Sequence, residues 1–489
     1  MQRETSEDPR LTHSELGLAG VAGRMSKALA LDLSAKRVAL LACIGLFGAG
    51  VALMPMSGVT EGAMTGLAIV IVTVALMATS ALPGLVTALI FFALALATQT
   101  APAMAVLSSF WANATMLIFG GLIIGAAAER SGLGRYVARG LMQKFLGSYF
   151  KLLAGVLIGT FGLSFLLPST MGRLAITIPI VTAICKEVGY EPGSNGYAAM
   201  VLTAVAGNFT TSYAILPANL TNVITIGAAE SLFGPQLGYI EYLVCCAPVL
   251  GALKGATFLA LLLMLFPAPA PLQQPPAAPL PLSRAARRLA VVLGATVALW
   301  ASDVLHGLKP GWIAMGAAVL CLLPPLGLVR LRECFDVNRL SAVIIVPAVQ
   351  GIATVLTHSG AGGLIAALIS TVIPLHGLSQ TLGFVVIAVT SALVATVATV
   401  VGAIAIVTPM LGEVQAATGL PTKAGLLAQI TGLQAPLLHY VATPIMVGIA
   451  MGGVSPRMAA RMLVPLAVSG LVIVLPAMIG WLRLIGVMQ

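Results

Sequence analysis

The sequence predicts an all-α membrane protein with about 11 to 13 transmembrane segments, each near the ~20 residues that a helix needs to cross a bilayer. Hydrophobic residues make up 59% of the chain, charged residues only 8%, and the mean hydropathy is +1.04. Soluble domains are about 25% charged. Long apolar runs recur from residue 37 to the end of the chain, and they fall into two similar sets.

A short motif links the two sets. STMGRLAITIP (169–179) returns as TVVGAIAIVTP (399–409), displaced by 230 residues (399 − 169). Each copy begins with a hydroxylated residue and has a Gly three positions later, at Gly172 and Gly402, and a Pro ten positions later. Nearly the same displacement relates three further landmarks: Ser131 to Ser359, Gly132 to Gly360, and Pro217 to Pro444. A duplicated, interrupted apolar segment predicts two inverted repeats that together form a transporter's substrate site.

Each repeat is predicted to contain a re-entrant hairpin followed by a broken helix. The apolar pieces 152–167 and 174–184 are shorter than a full span, which places a hairpin tip at 168–172. The second hairpin is predicted over 385–416, with its tip near Thr399. The next helix of each half is interrupted, by the polar stretch NFTTSYAILPANLTN in the first half and near a Thr-Pro pair in the second.

Basic loops between the apolar runs explain the net charge of +10 without nucleic-acid binding, because cytoplasmic loops are enriched in Lys and Arg. They predict a bacterial inner (cytoplasmic) membrane protein with a cytoplasmic N-terminus. The six cysteines lack C-x-x-C spacing, which indicates neither a disulfide framework nor a zinc site. We divide the chain into a cytoplasmic tail (1–36), N-terminal scaffold helices (37–109), a first inverted repeat (110–266), a Pro-rich linker (267–288), linking helices (289–338) and a second inverted repeat (339–489).

Arg173 follows the first hairpin tip and is the main candidate for substrate recognition. An intramembrane Arg is functional by default, and its guanidinium binds carboxylate or sulfonate through paired hydrogen bonds. The alternative is an Arg that reaches interfacial water or pairs with a protein carboxylate. The predicted substrate-binding residues lie at the tips and breaks: Ser169, Thr170, Arg173, Asn219, Thr399, Thr443 and Pro444.

A coupling cation is predicted at the same interruptions, where hydroxyls and unwound carbonyls supply oxygen ligands. The alternative is that the hydroxyls bond carbonyls four residues back and the glycines serve close packing. No metal other than Na⁺ and no cofactor is expected. The predicted ion-binding residues are Ser169, Gly172, Asn208, Asn219, Thr399 and Gly402.

Other ionisable residues lie in or beside apolar runs. His439 precedes the second break, where it is either a proton carrier or a helix-end His bonded to the backbone. Lys254 and Glu129 are expected to extend to the membrane surface or to pair with an opposite charge.

Over roughly residues 60–489 the pattern resembles the divalent-anion/sodium symporter family of the ion-transporter superfamily. Residues 169–171 and 399–401 stand where that family carries a Ser-Asn-Thr motif at each hairpin tip. Residues 216–219 and 443–446 stand where it has a Thr-Pro-Pro-Asn-like break, and FGGLIIGAAAERSGLG resembles its entry into the first half. The resemblance implies inverted repeats, binding at mid-membrane, and an elevator-type transport domain that moves against a scaffold, usually in a homodimer.

The chain departs from the family pattern at the residues that contact the sodium ion and the substrate in that family. Both triplets lack the Asn with which the family contacts sodium and substrate carboxylate, and Met446 stands where the second break has Asn. Coupling to Na⁺ or to H⁺ is therefore left open. The cargo is likewise left open among dicarboxylates, other organic acids, sulfonates and sulfate.

These features predict a secondary active transporter of a small anion. The alternatives are a passive anion channel and the membrane subunit of a multi-component, binding-protein-dependent carrier. An enzyme is disfavoured, because the chain contains no GxxxxGK[ST], HExxH or GxSxG motif. The expected partners are a small anion, the lipid membrane and a second copy of the chain.

Overall fold

The computed structural model describes residues 34–55, 59–79, 81–143, 145, 147–234, 237–272, 281–334, 337–364, 377, 379–435 and 442–489. Every regular element in these ranges is a helix. Nine of the described helices are long and apolar enough to cross a membrane, and three shorter apolar helices accompany them. The predicted all-α membrane fold is confirmed. Most of the predicted tail, part of the Pro-rich linker, and His439 lie outside the described residues.

The first half of the chain contains ten principal helices among the described residues, with two short helices, Ala103–Leu107 and Ser108–Trp111, before the fourth. In order they are α1 (Ala35–Ala52), α2 (Glu61–Thr79), α3 (Gly84–Thr98), α4 (Asn113–Ser131), α5 (Leu133–Gln143), α6 (Tyr149–Leu166), α7 (Thr170–Glu187), α8 (Asn195–Thr210), α9 (Leu220–Phe233) and α10 (Tyr239–Leu265).

The rest of the described chain continues with seven principal helices and two short ones, Asp303–His306 and Leu331–Cys334. The principal helices are α11 (Arg284–Ala301), α12 (Pro310–Leu322), α13 (Val337–Ser359), α14 (Gln380–Thr418), α15 (Thr422–Leu433), α16 (Thr443–Met451) and α17 (Pro456–Leu484). Helices α10 and α17 each contain a π-helical segment, Ala247–Leu253 and Gly470–Val474 respectively.

Serine caps fix where many of these helices begin. A serine side chain at the N-cap accepts a hydrogen bond from a backbone N–H of the first turn, which would otherwise have no partner. This contact is made at the start of α1, α6, α7, α8, α11, α14 and α17. Because Ser148 caps α6, that helix begins before the apolar run and reaches 18 residues.

The first predicted hairpin is present. Helices α6 and α7 are joined by residues 167–169, and the ring centroids of Tyr149 and Tyr190, at their far ends, lie 6.1 Å apart. Each arm has 18 residues, which is about 27 Å of helix and close to the ~30 Å hydrocarbon core. The capping residues extend both helices beyond their apolar runs. Helix α6 is long and apolar enough to cross a membrane, whereas α7 is not among the described helices that meet this criterion, and the re-entrant character of the hairpin stays a prediction.

The second predicted hairpin lies within α14. Thr399 has φ +62°, and Gln380 Nε2 at one end donates to the Gly419 carbonyl at the other, over 3.1 Å. A straight helix of 39 residues would separate its ends by ~58 Å. The chain therefore folds back at Thr399, and its two arms run over Gln380–Val397 and Thr399–Thr418.

The two halves carry matching elements in the same order. Gly132 and Gly360, predicted as landmarks, have φ of +75° and +81° and directly follow the last residues of α4 and α13. A hairpin, a broken helix and a helix with a π segment then follow in each half. The inverted relation between the halves and the domain boundaries stay predictions.

Candidate functional site

The two hairpin tips have the same local structure. Ser169 Oγ accepts from the Gly172 N–H over 3.1 Å, and Thr399 Oγ1 accepts from the Gly402 N–H over 3.4 Å. Both hydroxyls therefore cap the second arm of their hairpin, and the expected alternative of bonds to carbonyls four residues back is wrong at these two positions. The motif that repeats in the sequence is a repeated helix start.

Thr399 differs from Ser169 in its backbone. A β-branched residue with φ near +60° is a genuine outlier, and such strain amounts to about 1–3 kcal/mol.

Asn tolerates the backbone conformation of Thr399 and is also a good N-cap. We expect Thr399→Asn to raise the thermal unfolding temperature of the detergent-solubilised protein by a few degrees. Ser169→Asn, at ordinary φ, is the matched control and should give no increase; an equal shift in both variants would contradict the assignment of strain to Thr399.

Arg173 lies fully buried behind the first tip, and its guanidinium uses all five N–H groups within the protein. Nε donates to Asn208 Oδ1 (3.3 Å), Nη1 to the carbonyl oxygens of Leu167 (2.5 Å) and Ala218 (2.9 Å), and Nη2 to Thr170 Oγ1 (3.1 Å) and the Asn208 carbonyl oxygen (2.9 Å). These bonds join the hairpin tip to the end of α8 and to the first break.

This arrangement differs from the alternative expectation for Arg173, that its side chain reaches interfacial water or pairs with a protein carboxylate. The side chain reaches no surface, and no carboxylate pairs with it among the described residues. In this conformation it also has no N–H left for a substrate. Its charge is not neutralised by a partner of opposite sign, so the guanidinium raises the local positive potential. The role of counter-charge stays a prediction.

The asparagines of the first break hold the unwound backbone. Asn208 donates to Thr177 Oγ1 over 2.8 Å, while Asn219 accepts from the Thr221 N–H over 3.0 Å and so caps α9. Asn222, in the first turn of α9, is a further candidate that the sequence pattern does not single out. Its side chain is buried, its Nδ2 bonds carbonyls of the break, and its Oδ1 has no partner. A buried amide oxygen of this kind is a candidate cation ligand.

The second break is joined to the first. Tyr213, in the 3₁₀ turn after α8, donates its hydroxyl to the Leu433 carbonyl at the end of α15 over 3.2 Å. Thr443 and Pro444 begin α16, with Thr443 exposed and Pro444 half-buried. Residues 436–441, including the predicted proton carrier His439, lie outside the described part of the chain.

Helix α16 packs against α8 and against α7, the second arm of the first hairpin. A Cβ on Gly448 would lie 2.9 Å from a methyl of Val205 in α8 and 3.4 Å from a methyl of Leu174 in α7. One turn further along, Tyr197 donates to the Gly452 carbonyl over 3.0 Å, so α16 and α8 run antiparallel. The start of α16 is therefore level with the end of α8. The N-termini of α7 and α16 both lie near this contact, and their dipoles favour negative charge.

A surface cleft of about 480 Å³ leads towards the first tip. It is lined by Ala126, Glu129, Arg130 and Glu333. Arg130 and Glu333 form an exposed ion pair across it, with N and O atoms 2.5 Å apart. Glu129 Oε1 would lie 2.7 Å from a Cβ on Gly172, so this carboxylate touches the backbone of the tip.

Lys254 does not follow its sequence expectation. Its side chain is fully buried, reaches no membrane surface, and donates to the Gln434 carbonyl over 2.9 Å. No carboxylate lies opposite it in the described ranges. Sequence reasoning missed its importance because the partner lies 180 residues away along the chain.

Paired hairpins, paired breaks and buried polar groups at membrane depth define a polytopic membrane transporter, because irregular backbone is tolerated there only inside protein or along a watery path. Residues 33–488 match the sequence model of the family described as the sodium:sulfate symporter transmembrane region. The chain belongs to this family, which confirms the resemblance seen in the sequence. By its description, the family is one of membrane transporters of an anion.

Individual relatives are distant. A Cupriavidus necator protein described as a membrane protein is 24% identical over 265 residues, so the match spans about half of each chain (52%). The crystal structure of the Alcanivorax borkumensis YdaH transporter has a TM-score of 0.54 at 13% identity, covering 78% of this chain and 89% of that one. At this identity the likeness supports the fold alone. Neisseria gonorrhoeae MtrF, from a class described as antimetabolite efflux pumps, has a TM-score of 0.48 at 14% identity, and the match covers 93% of this chain and 96% of that one.

Proposed function

We propose that the protein is a secondary active transporter that moves a small anion, either a dicarboxylate, another organic acid, a sulfonate or sulfate, coupled to Na⁺ or H⁺. The observation that supports it best is the direct contact between the two breaks, through Tyr213 and Leu433, beside a capped hairpin tip. Transport sites of this kind lie where discontinuous helices of two repeats meet near the middle of the membrane.

Anion recognition in this proposal combines backbone and charge. The N-termini of α7 and α16 direct N–H groups and dipoles towards the interruptions, and Thr443 is exposed there to donate its hydroxyl. Arg173 adds a full positive charge behind the tip without contacting the cargo. A cargo with delocalised negative charge fits this field, because many weak donors and a distant cation stabilise spread charge.

The coupling cation, if it is Na⁺, is proposed to lie at the first break. Asn222 Oδ1 has no partner there, and Ser169 and Asn219 lie at the adjoining helix starts. Oxygen ligands of this kind suit a hard monovalent cation. Movement is proposed to be of the elevator type, with hairpins and breaks moving together against the scaffold helices in each copy of a homodimer.

Uptake into proteoliposomes tests the function. Purified protein is reconstituted and offered radiolabelled sulfate, succinate, benzoate and an alkyl sulfonate, with Na⁺ and pH gradients imposed separately. We expect saturable uptake of at least one anion to a level several-fold above equilibrium under one gradient, and collapse of that level when an ionophore removes the gradient. Linear, uncoupled flux would instead indicate a channel, and a requirement for a second protein would indicate a carrier subunit.

A matched pair of variants locates the site. Thr443→Val removes an exposed hydroxyl at the second break, and we expect the KM for the anion to rise about 10- to 150-fold, on the scale of a lost hydrogen bond to a charged group. Thr79→Val makes the same change at the exposed end of α2, where the hydroxyl bonds only its own helix. Equal KM values in both variants would remove Thr443 from the proposed site.

A further inference from the structure

Lys254 and Gln434 form a buried polar pair at the junction of the two halves. The Lys254 ammonium can donate three hydrogen bonds, and it makes one, to the Gln434 carbonyl. The carbonyl belongs to the C-cap of α15, where the helix dipole favours a positive charge. Two donors of a fully buried cation are thus left over.

The side-chain amide of Gln434 is also without partners. Both its Oε1 and its Nε2 are buried, and neither atom makes a hydrogen bond. A Cβ on Gly470 would lie 3.4 Å from Gln434 Nε2 and 3.8 Å from Lys254 Nζ, so the amide and the ammonium flank the same glycine. Unmade hydrogen bonds at buried polar groups are costly, and a native structure retains them for a reason.

The chemistry of this amide suits both protonation states of the lysine. Oε1 can accept from the ammonium, and Nε2 can donate to the lone pair of the neutral amine. A rotation of the Gln434 side chain exchanges one partner for the other. A pair of this kind stabilises whichever form is present, as a site that binds and releases a proton requires.

The position of Lys254 links it to the elements that must move. Gly251, three residues before Lys254, and Gly255, directly after it, pack against the first break. An added Cβ would lie 3.3 Å from Ala214 at Gly251 and 3.9 Å from Thr211 at Gly255. The π segment Ala247–Leu253 ends directly before Lys254, and Gly470 begins the other π segment. Such segments are frequent at functional sites.

Other titratable groups near Lys254 are engaged elsewhere among the described residues. The phenol of Tyr213, in the 3₁₀ turn packed against α10, donates to the Leu433 carbonyl, and the phenol of Tyr242, within α10, donates to the Tyr213 carbonyl. The more distant charged groups also have partners: Glu241 pairs with Lys423, Arg461 lies over the Phe266 ring, and Arg483 bonds Thr381 and Gln489. Cys245 and Cys246 are buried free thiols. His439 lies outside the described residues.

We propose that Lys254 is the proton carrier of this transporter, with the Gln434 amide as its partner in both protonation states. The inference rests on the proposed transport function and makes H⁺ the coupling ion. The amine takes a proton from water on one side of the membrane, holds it while the anion is bound, and returns it to water on the other side. In this proposal the positive charge beside the second repeat is the Lys254 ammonium at the C-terminus of α15, and no metal cation is needed there.

The first experiment does not depend on a substrate. Thermal unfolding of purified wild type, Lys254→Met and Lys151→Met is followed from pH 6 to pH 9. A buried charge without a partner of opposite sign is costly, so we expect Lys254→Met to unfold several degrees above wild type at pH 6. The difference should shrink as pH rises, because wild type then loses the same charge. Lys151, which is exposed, supplies a control that tracks wild type. Parallel curves for Lys254→Met and wild type would overturn the proposal.

The second experiment measures coupling in proteoliposomes, with the same four anions as probes. We expect Lys254→Met and Gln434→Leu to lose pH-driven accumulation at least tenfold while exchange of the anion down its own gradient continues. Full pH-driven accumulation in Lys254→Met, or its loss only in His439→Asn, would overturn the proposal. If wild type transports none of the probes, the transport function fails, whereas the unfolding curves still report whether Lys254 titrates.

Discussion

Replacing Arg173 with Met is expected to destabilise the protein by about 3 kcal/mol and to abolish transport. The change leaves several buried oxygens without donors, among them the carbonyls of Leu167 and Ala218, and each orphaned buried group costs ~1–3 kcal/mol. Release of the buried charge offsets part of this loss. The first hairpin tip would then no longer be tied to the first break.

Two further variants separate the geometric role of Arg173 from the role of its charge. Arg173→Lys retains the charge but not the planar fork of five donors, so at most three of the bonds re-form. We expect this variant to fold, with a KM at least tenfold higher and an intermediate unfolding temperature. Arg457→Met, at an exposed site, is the control for loss of one arginine. Thermal unfolding and uptake are measured together, and wild-type stability in Arg173→Met would show that the hydrogen bonds do not hold the tip.

The sequence identified the position of Arg173 but not what it does. A charged residue inside an apolar segment and beside a repeated motif indicates a functional position. This inference uses only residues that are close to Arg173 in the sequence. The partners of the guanidinium lie up to 45 residues away, and they meet it only because α8 packs against α7 and the break folds over the tip. The choice between a substrate contact and a structural tie therefore depends on tertiary structure.

The hairpins illustrate what periodicity and composition can predict. Their tips were located from Pro168, Ser169 and Thr399, since turn and capping residues act locally. Arm lengths were underestimated, because serine caps recruit polar residues such as Lys151 into the helices. Lys254 and Asn222 were undervalued for a different reason. Their significance lies in buried atoms without partners, and no sequence pattern reveals which hydrogen bonds remain unmade.

The contact between the breaks also depends on one glycine. Gly432 lies in α15 against the first arm of α14, and a Cβ there would overlap the Ala388 carbonyl oxygen and lie 2.8 Å from Ser391 Cβ. Backbone atoms cannot move aside as flexible side chains do, so α15 must be this close to α14 to reach its position. The residues that follow, Leu433 and Gln434, are those that meet Tyr213 and Lys254.

We expect Gly432→Ala to cost at least the ~1–3 kcal/mol typical of overpacking. The uptake rate should fall even at temperatures where the variant remains folded. The reason is that moving α15 away from α14 separates Leu433 from Tyr213 and Gln434 from Lys254. Gly294→Ala, in α11 with no atom near the added Cβ, is the matched control and should gain up to ~1 kcal/mol from helix propensity. Unfolding temperature and uptake rate are compared for both variants. If Gly432→Ala transports as wild type does, close packing of α15 on the second hairpin is not what brings the two breaks together.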